Sequence, residues 1–413
     1  MTGDIRAIAL YLPQFHPVPE NDEWWGRGFT EWRNVTKAKP LFPGHYQPHL
    51  PADLGFYDLR LPEVREAQAA LARQYGIHGF CYYHYWFNGR RILERPFNEV
   101  LASGKPDFPF CLCWANENWT RIWDGGEKNV LLAQHYSEDD DRAHIESLLP
   151  AFSDPRYIRV DGRPLFLVYR VELLPNPKRT AQIWREAAKQ AGIGDLYLAL
   201  VENFSNDTDP ASVGFDAAVQ FAPDGRNLGK RLFREGLGGF LSRSGIIPKA
   251  YSENIVVRYP AVARGMASRP APDFKRFNCV TPGWDNSARR RKDARIVIDS
   301  TPAEYERWLR TVADRTLREH RGDERLVFIN AWNEWAEGNH LEPDLKWGHA
   351  YLEATRRALD AAASPVAQTA SDARESTPRG VATPDRVRAA YWKVRGKLYE
   401  YSELLRNILW RPS

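Results

Sequence analysis

Eight short apolar runs, spread over most of the chain, constrain the fold more than any other feature. They occupy residues 5–12, 79–87, 108–114, 165–169, 196–201, 217–221, 277–280 and 326–329. Runs of this length between polar flanks read as buried strands rather than helices. Helix-like segments separate several of them, at 61–75, 137–149, 178–191 and 302–319, with 348–361 after the last. Ser137 with Asp140 and Ser300 with Glu304 supply N-terminal signals, and Gly76 and Gly192 fall where C-caps are expected. Strands alternating with helices predict a parallel sheet clothed in helices. Eight such units predict a (β/α)8 TIM barrel over residues 1–360, with loop insertions.

A barrel of this kind carries its site at the carboxyl ends of its strands. Here the polar and aromatic clusters do follow the runs. Gln14, His16, Trp24, Trp25 and Trp32 come after the first, and Tyr85 and Trp86 end the second. Asn116, Glu117 and Trp119 follow the third, Glu202 the fifth, Trp284 and Asp285 the seventh. The eighth runs into Trp332, Asn333, Glu334 and Glu337. A doubly wound open sheet would concentrate such residues near one switch point, so the spread favours the barrel. Residues 223–276, rich in Gly, Arg and Pro, fit the alternation poorly and are expected to be an elaborated loop. Residues 361–382 read as a flexible linker. Residues 383–413 read as a basic amphipathic helix that packs on protein or docks on anionic lipid.

Two carboxylates, an amide and two indoles at the end of a buried strand make poor core. They suit a sugar site, because glycosidic chemistry uses paired carboxyl groups and rings pack against sugar faces. The chain holds 15 tryptophans, many at run ends, which favours an aromatic-lined cleft. Glu334 and Glu337, three apart, share a face if the loop turns helically there, and crowding should split their pKa values into acid and base. Glu117 is a second acid/base or an acceptor for sugar hydroxyls. His16 and His84 lack a close His/Asp pairing and are assigned to hydrogen-bonding substrate, so no metal and no other cofactor is expected. The run from Arg289 to Lys292 would meet a phosphorylated donor if it points into the cleft; a solvated loop is the default. A net charge of +4 is too small to argue for nucleic acid, and the four cysteines lie in apolar runs as reduced thiols. No N-terminal stretch reads as a signal peptide and none is long enough to cross a bilayer. A cytoplasmic address follows as the expectation, peripheral at the inner membrane if the tail docks there.

The stretch from Asn333 to Pro343, NEWAEGNHLEP, closely resembles the N-E-W-x-E-G-x-x-[IL]-E-P pattern of glycoside hydrolase family 99, the endo-α-mannosidases. The wider set of motifs is similar to WbsX-type proteins, family-99-like sequences found with bacterial surface-polysaccharide synthesis. It comprises 11–16 (YLPQFH), 24–26 with 29–32, 80–86 (FCYYHYW) and 114–119 (WANENW). The resemblance spans residues 5 to 360 and implies a metal-independent barrel acting with retention. It implies Glu334 as the base toward the substrate's own 2-hydroxyl, giving a 1,2-anhydro sugar, and Glu337 as the general acid/base. Its substrate would be a glycan or lipid-linked oligosaccharide, with a nucleotide sugar as a further candidate donor. Glycosyl transfer is expected first, hydrolysis or transglycosylation second, and a non-catalytic glycan-binding scaffold is the reading from another class.

Overall fold

The computed structural model describes residues 5–121, 126–202, 207–290 and 292–363. Its centre is a closed ring of parallel strands. In chain order these are β1 (Arg6–Tyr11), β2 (Ile77–Phe87), β3 (Phe110–Trp114) and β4 (Arg163–Val168). The ring continues with β5 (Tyr197–Glu202), β6 (Ala217–Gln220), β7 (Arg276–Val280) and β8 (Leu326–Ile329). Each pairs in parallel with its chain neighbour, and β8 returns to β1 in the register Arg6↔Leu326 and Ile8↔Phe328, which closes the ring. This is the (β/α)8 barrel that the eight runs predict. Nearly every residue of these strands is buried because side chains on one face fill the barrel and on the other meet helices. That double burial is why the runs stand out as continuously apolar.

The outer layer consists of α1 (Pro62–Gln74), α2 (Arg95–Ser103), α3 (Glu138–Ser153), α4 (Pro177–Gln190), α5 (Tyr259–Ala267), α6 (Pro302–Glu319) and α7 (Ala350–Ala363). Ser137 caps α3 by accepting from the Asp140 amide, as expected. At α6 the cap is Thr301 rather than Ser300: Thr301 Oγ1 accepts from the Glu304 amide at 3.3 Å, while the Ser300 hydroxyl turns to the Pro282 carbonyl. Between β5 and β6 the described residues hold only a 3-10 turn, Pro210–Val213, in place of a full helix.

Residues 223–276 are more structured than their composition suggests. They contain the helices Gly236–Arg243 and Ala250–Glu253, the strand Ile255–Arg258 and then α5. Ile255–Arg258 pairs with Arg295–Ile298, which also pairs with Trp284–Asp285, so the loops after β6 and β7 share a small separate sheet. Its partners are distant in sequence, which local patterning does not register. Helix α7 runs through Ala363, past the expected boundary at 360. The rest of the expected linker and the basic helix at 383–413 lie outside the described residues. Among the described residues no helix is long and apolar enough to cross a membrane.

Candidate active site

The loops at the carboxyl ends of the strands enclose a cavity of ≈ 430 Å³. Glu334 and Glu337 reach it from a short device after β8. Asn333–Glu334 pairs antiparallel with Asn339–His340, and Trp335–Glu337 forms a 3-10 turn between them. Side chains three apart eclipse on such a turn, so both carboxyls face one way. Gly338 closes it with φ +55°, and a Cβ there would stand 3.0 Å from Asp285 Cβ. Any side chain would be both strained and crowded.

One guanidinium organises the carboxyls. Arg289 Nη1 lies 2.7 Å from Glu337 Oε1, Nη2 3.1 Å from Glu334 Oε2, and Nε 3.1 Å from Glu31 Oε2. Three carboxyls around a single cation, Glu31 and Glu334 buried and Glu337 partly so, cannot all ionise cheaply. Burial pushes Glu334 up to about 8, against the pull of Arg289, with Glu337 and Glu31 adding to the rise. Glu337 is raised in the same direction, again by burial first. Burial thus favours retention of a proton by the pair, and Arg289 opposes it. This places Arg289 in the cleft and corrects the solvated-loop expectation. Arg290 also lines the cavity, whereas Lys292 is exposed and pairs with Glu253. Arg289 was illegible because a run of four basic residues looks alike throughout.

Of the expected substrate-binding residues, Gln14, Trp24, Trp25, Tyr85, Glu117, Trp119 and Trp284 line the cavity. Trp24 and Tyr85 meet Trp119 edge-on at 5.7 and 5.2 Å, an aromatic wall facing the carboxyls. Glu117 is ion-paired with Arg170. The others are held elsewhere. His16 sits 3.0 Å from the Pro13 carbonyl, and Trp32 Nε1 donates to the Tyr57 carbonyl. Trp86 Nε1 donates to Asp140 on α3, and His84 contacts His144 on the same helix. Glu202 is bound to Arg269 and Arg276, and Asp285 to His45 and Gln47. Trp332 packs against Phe80, on the β2 face turned away from the cavity. Strand parity explains part of this. On β2, Tyr83 and Tyr85 point into the cavity, while Tyr82, His84 and Trp86 face away from it.

Asn116 and Asn333 are staples. Asn333 Oδ1 accepts from the Leu12 amide at 2.7 Å and Nδ2 donates to the Leu12 carbonyl at 3.0 Å. Asn116 does the same to Arg170, both bonds 2.8 Å. Each amide side chain imitates a peptide group and extends the ladder where the backbone turns away. Tyr83, within the 80–86 motif, lines the cavity too, as do Tyr169, Phe221, Asn286, Arg295 and Asn330, which carried no motif that would single them out. Behind the turn, Glu342 is buried and pushed up to about 7, accepting from Tyr57, Gln68 and Trp335.

The chain resembles known proteins along most of its length. It is 48% identical over 352 residues to the uncharacterized protein WxcX of Xanthomonas campestris pv. campestris, covering 85% of this chain and 49% of that protein. The chain thus spans about half the length of the curated relatives it matches. Its fold matches the GH99 endo-α-mannosidase from Bacteroides thetaiotaomicron with a TM-score of 0.54 at 16% identity, over 88% of this chain and 98% of that one. A glycoside hydrolase-like protein matches with a TM-score of 0.54 at 13% identity, over 86% and 94%. At such identities these two establish the architecture alone. The model of the family described as glycosyltransferase WbsX matches residues 7–355, and the chain belongs to that family.

Proposed function

We propose that this protein transfers glycosyl groups in the metabolism of a bacterial surface polysaccharide, with Glu334 and Glu337 as its acid–base pair. The observation that carries this is the buried carboxyl pair held on one guanidinium beside an indole-lined cavity. Their attachment to the two terminal nitrogens of Arg289 argues for the close spacing of retaining enzymes, about 5–5.5 Å, over the wider inverting one.

In the first step Glu334 takes the proton of the substrate 2-hydroxyl, whose oxygen attacks C1. The bond from C1 to the leaving oxygen breaks, and that oxygen takes the Glu337 proton. In the second step Glu337, now a carboxylate, takes the acceptor's proton. The acceptor oxygen attacks C1, the C1–O2 bond opens, and O2 recovers its proton from Glu334. Burial raises both carboxyls and the pair titrates as one unit, so these roles require the proton on Glu337 when cleavage starts.

A sugar hydroxyl as acceptor gives transfer and water gives hydrolysis. Arg290 and Arg295 on the cavity wall support a phosphate-bearing donor, such as a nucleotide sugar or lipid-linked oligosaccharide. Such a donor would be met at the cytoplasmic face of the inner membrane. Hydrolysis or transglycosylation is the second reading, supported by Arg289 being turned onto three carboxyls rather than left for a phosphate. Mass spectrometry of host polysaccharide and lipid-linked precursors incubated with the protein, with and without nucleotide sugars, tests both. Glycan lengthening supports transfer and shortening supports hydrolysis. Either must fall by about 10²–10⁴-fold in Glu334→Gln and Glu337→Gln. Product formation unchanged in both variants sinks the assignment, and no product from native substrate favours a glycan-binding scaffold.

A further inference from the structure

A second cavity, of ≈ 310 Å³, lies behind the catalytic one, with Trp284 as a shared wall. Among the described residues, His49, His340 and Asp344 bring two imidazole nitrogens and a carboxylate oxygen within 4.8 Å of one another on its lining. We propose that these three residues bind a divalent transition-metal ion, zinc by ligand preference, which clasps the 45–52 loop to the hairpin carrying Glu334. In the sequence only His16 and His84 stand out as candidate ligands, and no metal is expected from them.

The orientation of each ligand supports this. His340 Nδ1 lies 2.9 Å from the Glu342 carbonyl, so it carries the hydrogen and donates there. Its Nε2 then presents a lone pair toward His49 Nδ1 at 2.9 Å and Asp344 Oδ2 at 3.8 Å. A ligand imidazole whose other nitrogen is fixed by a carbonyl is the usual arrangement at metal sites. Asp344 Oδ1 accepts from the Lys346 and Trp347 amides at 2.9 and 2.6 Å, which aims Oδ2 at the cluster. The backbone is already stitched around the site: the Ala52 amide donates to the Pro343 carbonyl and the Leu345 amide to the Leu50 carbonyl, both at 2.9 Å. Preformed geometry lowers the ordering cost of binding.

Asp285, engaged by His45 and Gln47, is committed elsewhere, and Lys346 places its ammonium over the Tyr46 ring at 4.4 Å. Two imidazoles and one carboxylate leave a coordination position open toward the cavity, the donor set of zinc sites that keep a water. His340 stands opposite Asn333 in the hairpin and stacks on Trp335 at 3.8 Å. An ion there would stiffen the turn that sets the carboxyl pair. Without one, a hydrogen bond from His49 to His340 accounts for the short contact.

The untagged full chain, stripped with chelator, is titrated with Zn²⁺ alone by calorimetry and with Co²⁺ as a spectroscopic reporter. The expected result is one equivalent of Zn²⁺, a raised melting temperature, and Co²⁺ bands of a four- or five-coordinate nitrogen and oxygen site. Asp344→Asn and His49→Gln should each weaken binding by more than about tenfold. No stoichiometric uptake by the parent, or uptake undiminished in both variants, overturns the proposal. Should a variant fail to fold, the parent decides: one equivalent with stabilisation upholds the site, and neither overturns it.

Discussion

At the scale of single residues, the site is a problem of charge. Among the described residues Arg289 is the guanidinium that bridges Glu31, Glu334 and Glu337, and it draws the pKa values of Glu334 and Glu337 down against burial. Replacing it with methionine removes that pull and raises them further. The alkaline limb of the kcat/KM profile, which reports loss of the proton held by the pair, should move to higher pH. Its height should fall, because fewer molecules keep an ionised base. A limb that moves to lower pH would show that Arg289 does not hold the pair. Glu334 and Glu337 were legible because an apolar run broke abruptly into carboxylates and indoles. Glu31 and Arg289 were not, since the partners of a charge are set by folding and neither lies near the pair in sequence.

Among elements, the strands were legible and their faces were not. Double burial marks a barrel strand in composition, whereas which alternate residues face inward depends on a register that only the neighbouring strands fix. Trp86 and Tyr83, on opposite faces of β2, show the ambiguity. The staples belong here too. Asn333→Ala strands the Leu12 amide and carbonyl, at about 1–3 kcal/mol for each buried unpaired group, and frees the turn bearing Glu334. Both Asn333→Ala and Asn116→Ala should lower the melting temperature, but only Asn333→Ala should lower kcat. A rise in KM with kcat intact for both would return these side chains to direct substrate contact. The small sheet shared by the loops after β6 and β7 stayed hidden for a similar reason: Ile255–Arg258 finds its partner, Arg295–Ile298, only on the far side of β7 in sequence.

Over the whole molecule, the polar groups buried between strands and loops decide stability as much as the core does. Glu202, at the end of β5, holds Arg269, just after α5, and Arg276, the first residue of β7. Glu202→Ala leaves two shielded guanidiniums without this carboxylate and should cost about 3–5 kcal/mol, read as a lower melting temperature and denaturation midpoint. An unchanged midpoint would mean that water reaches the pair freely. Sequence alone placed Glu202 at the carboxyl end of a strand, where catalytic and structural carboxylates look the same.

The ring is sealed by the pairing of β8 with β1, and the Asn333 staple joins positions 321 residues apart. Synthesis on the ribosome proceeds from β1, so for most of that time the nascent chain is an open sheet with an unpaired edge, a template for aggregation. Glu334 and Glu337 arrive on the segment that closes it. A polypeptide interrupted before β8 therefore carries neither carboxyl and no enclosed cavity, and the protein gains its proposed acid–base pair in the same event by which it loses its adhesive edge.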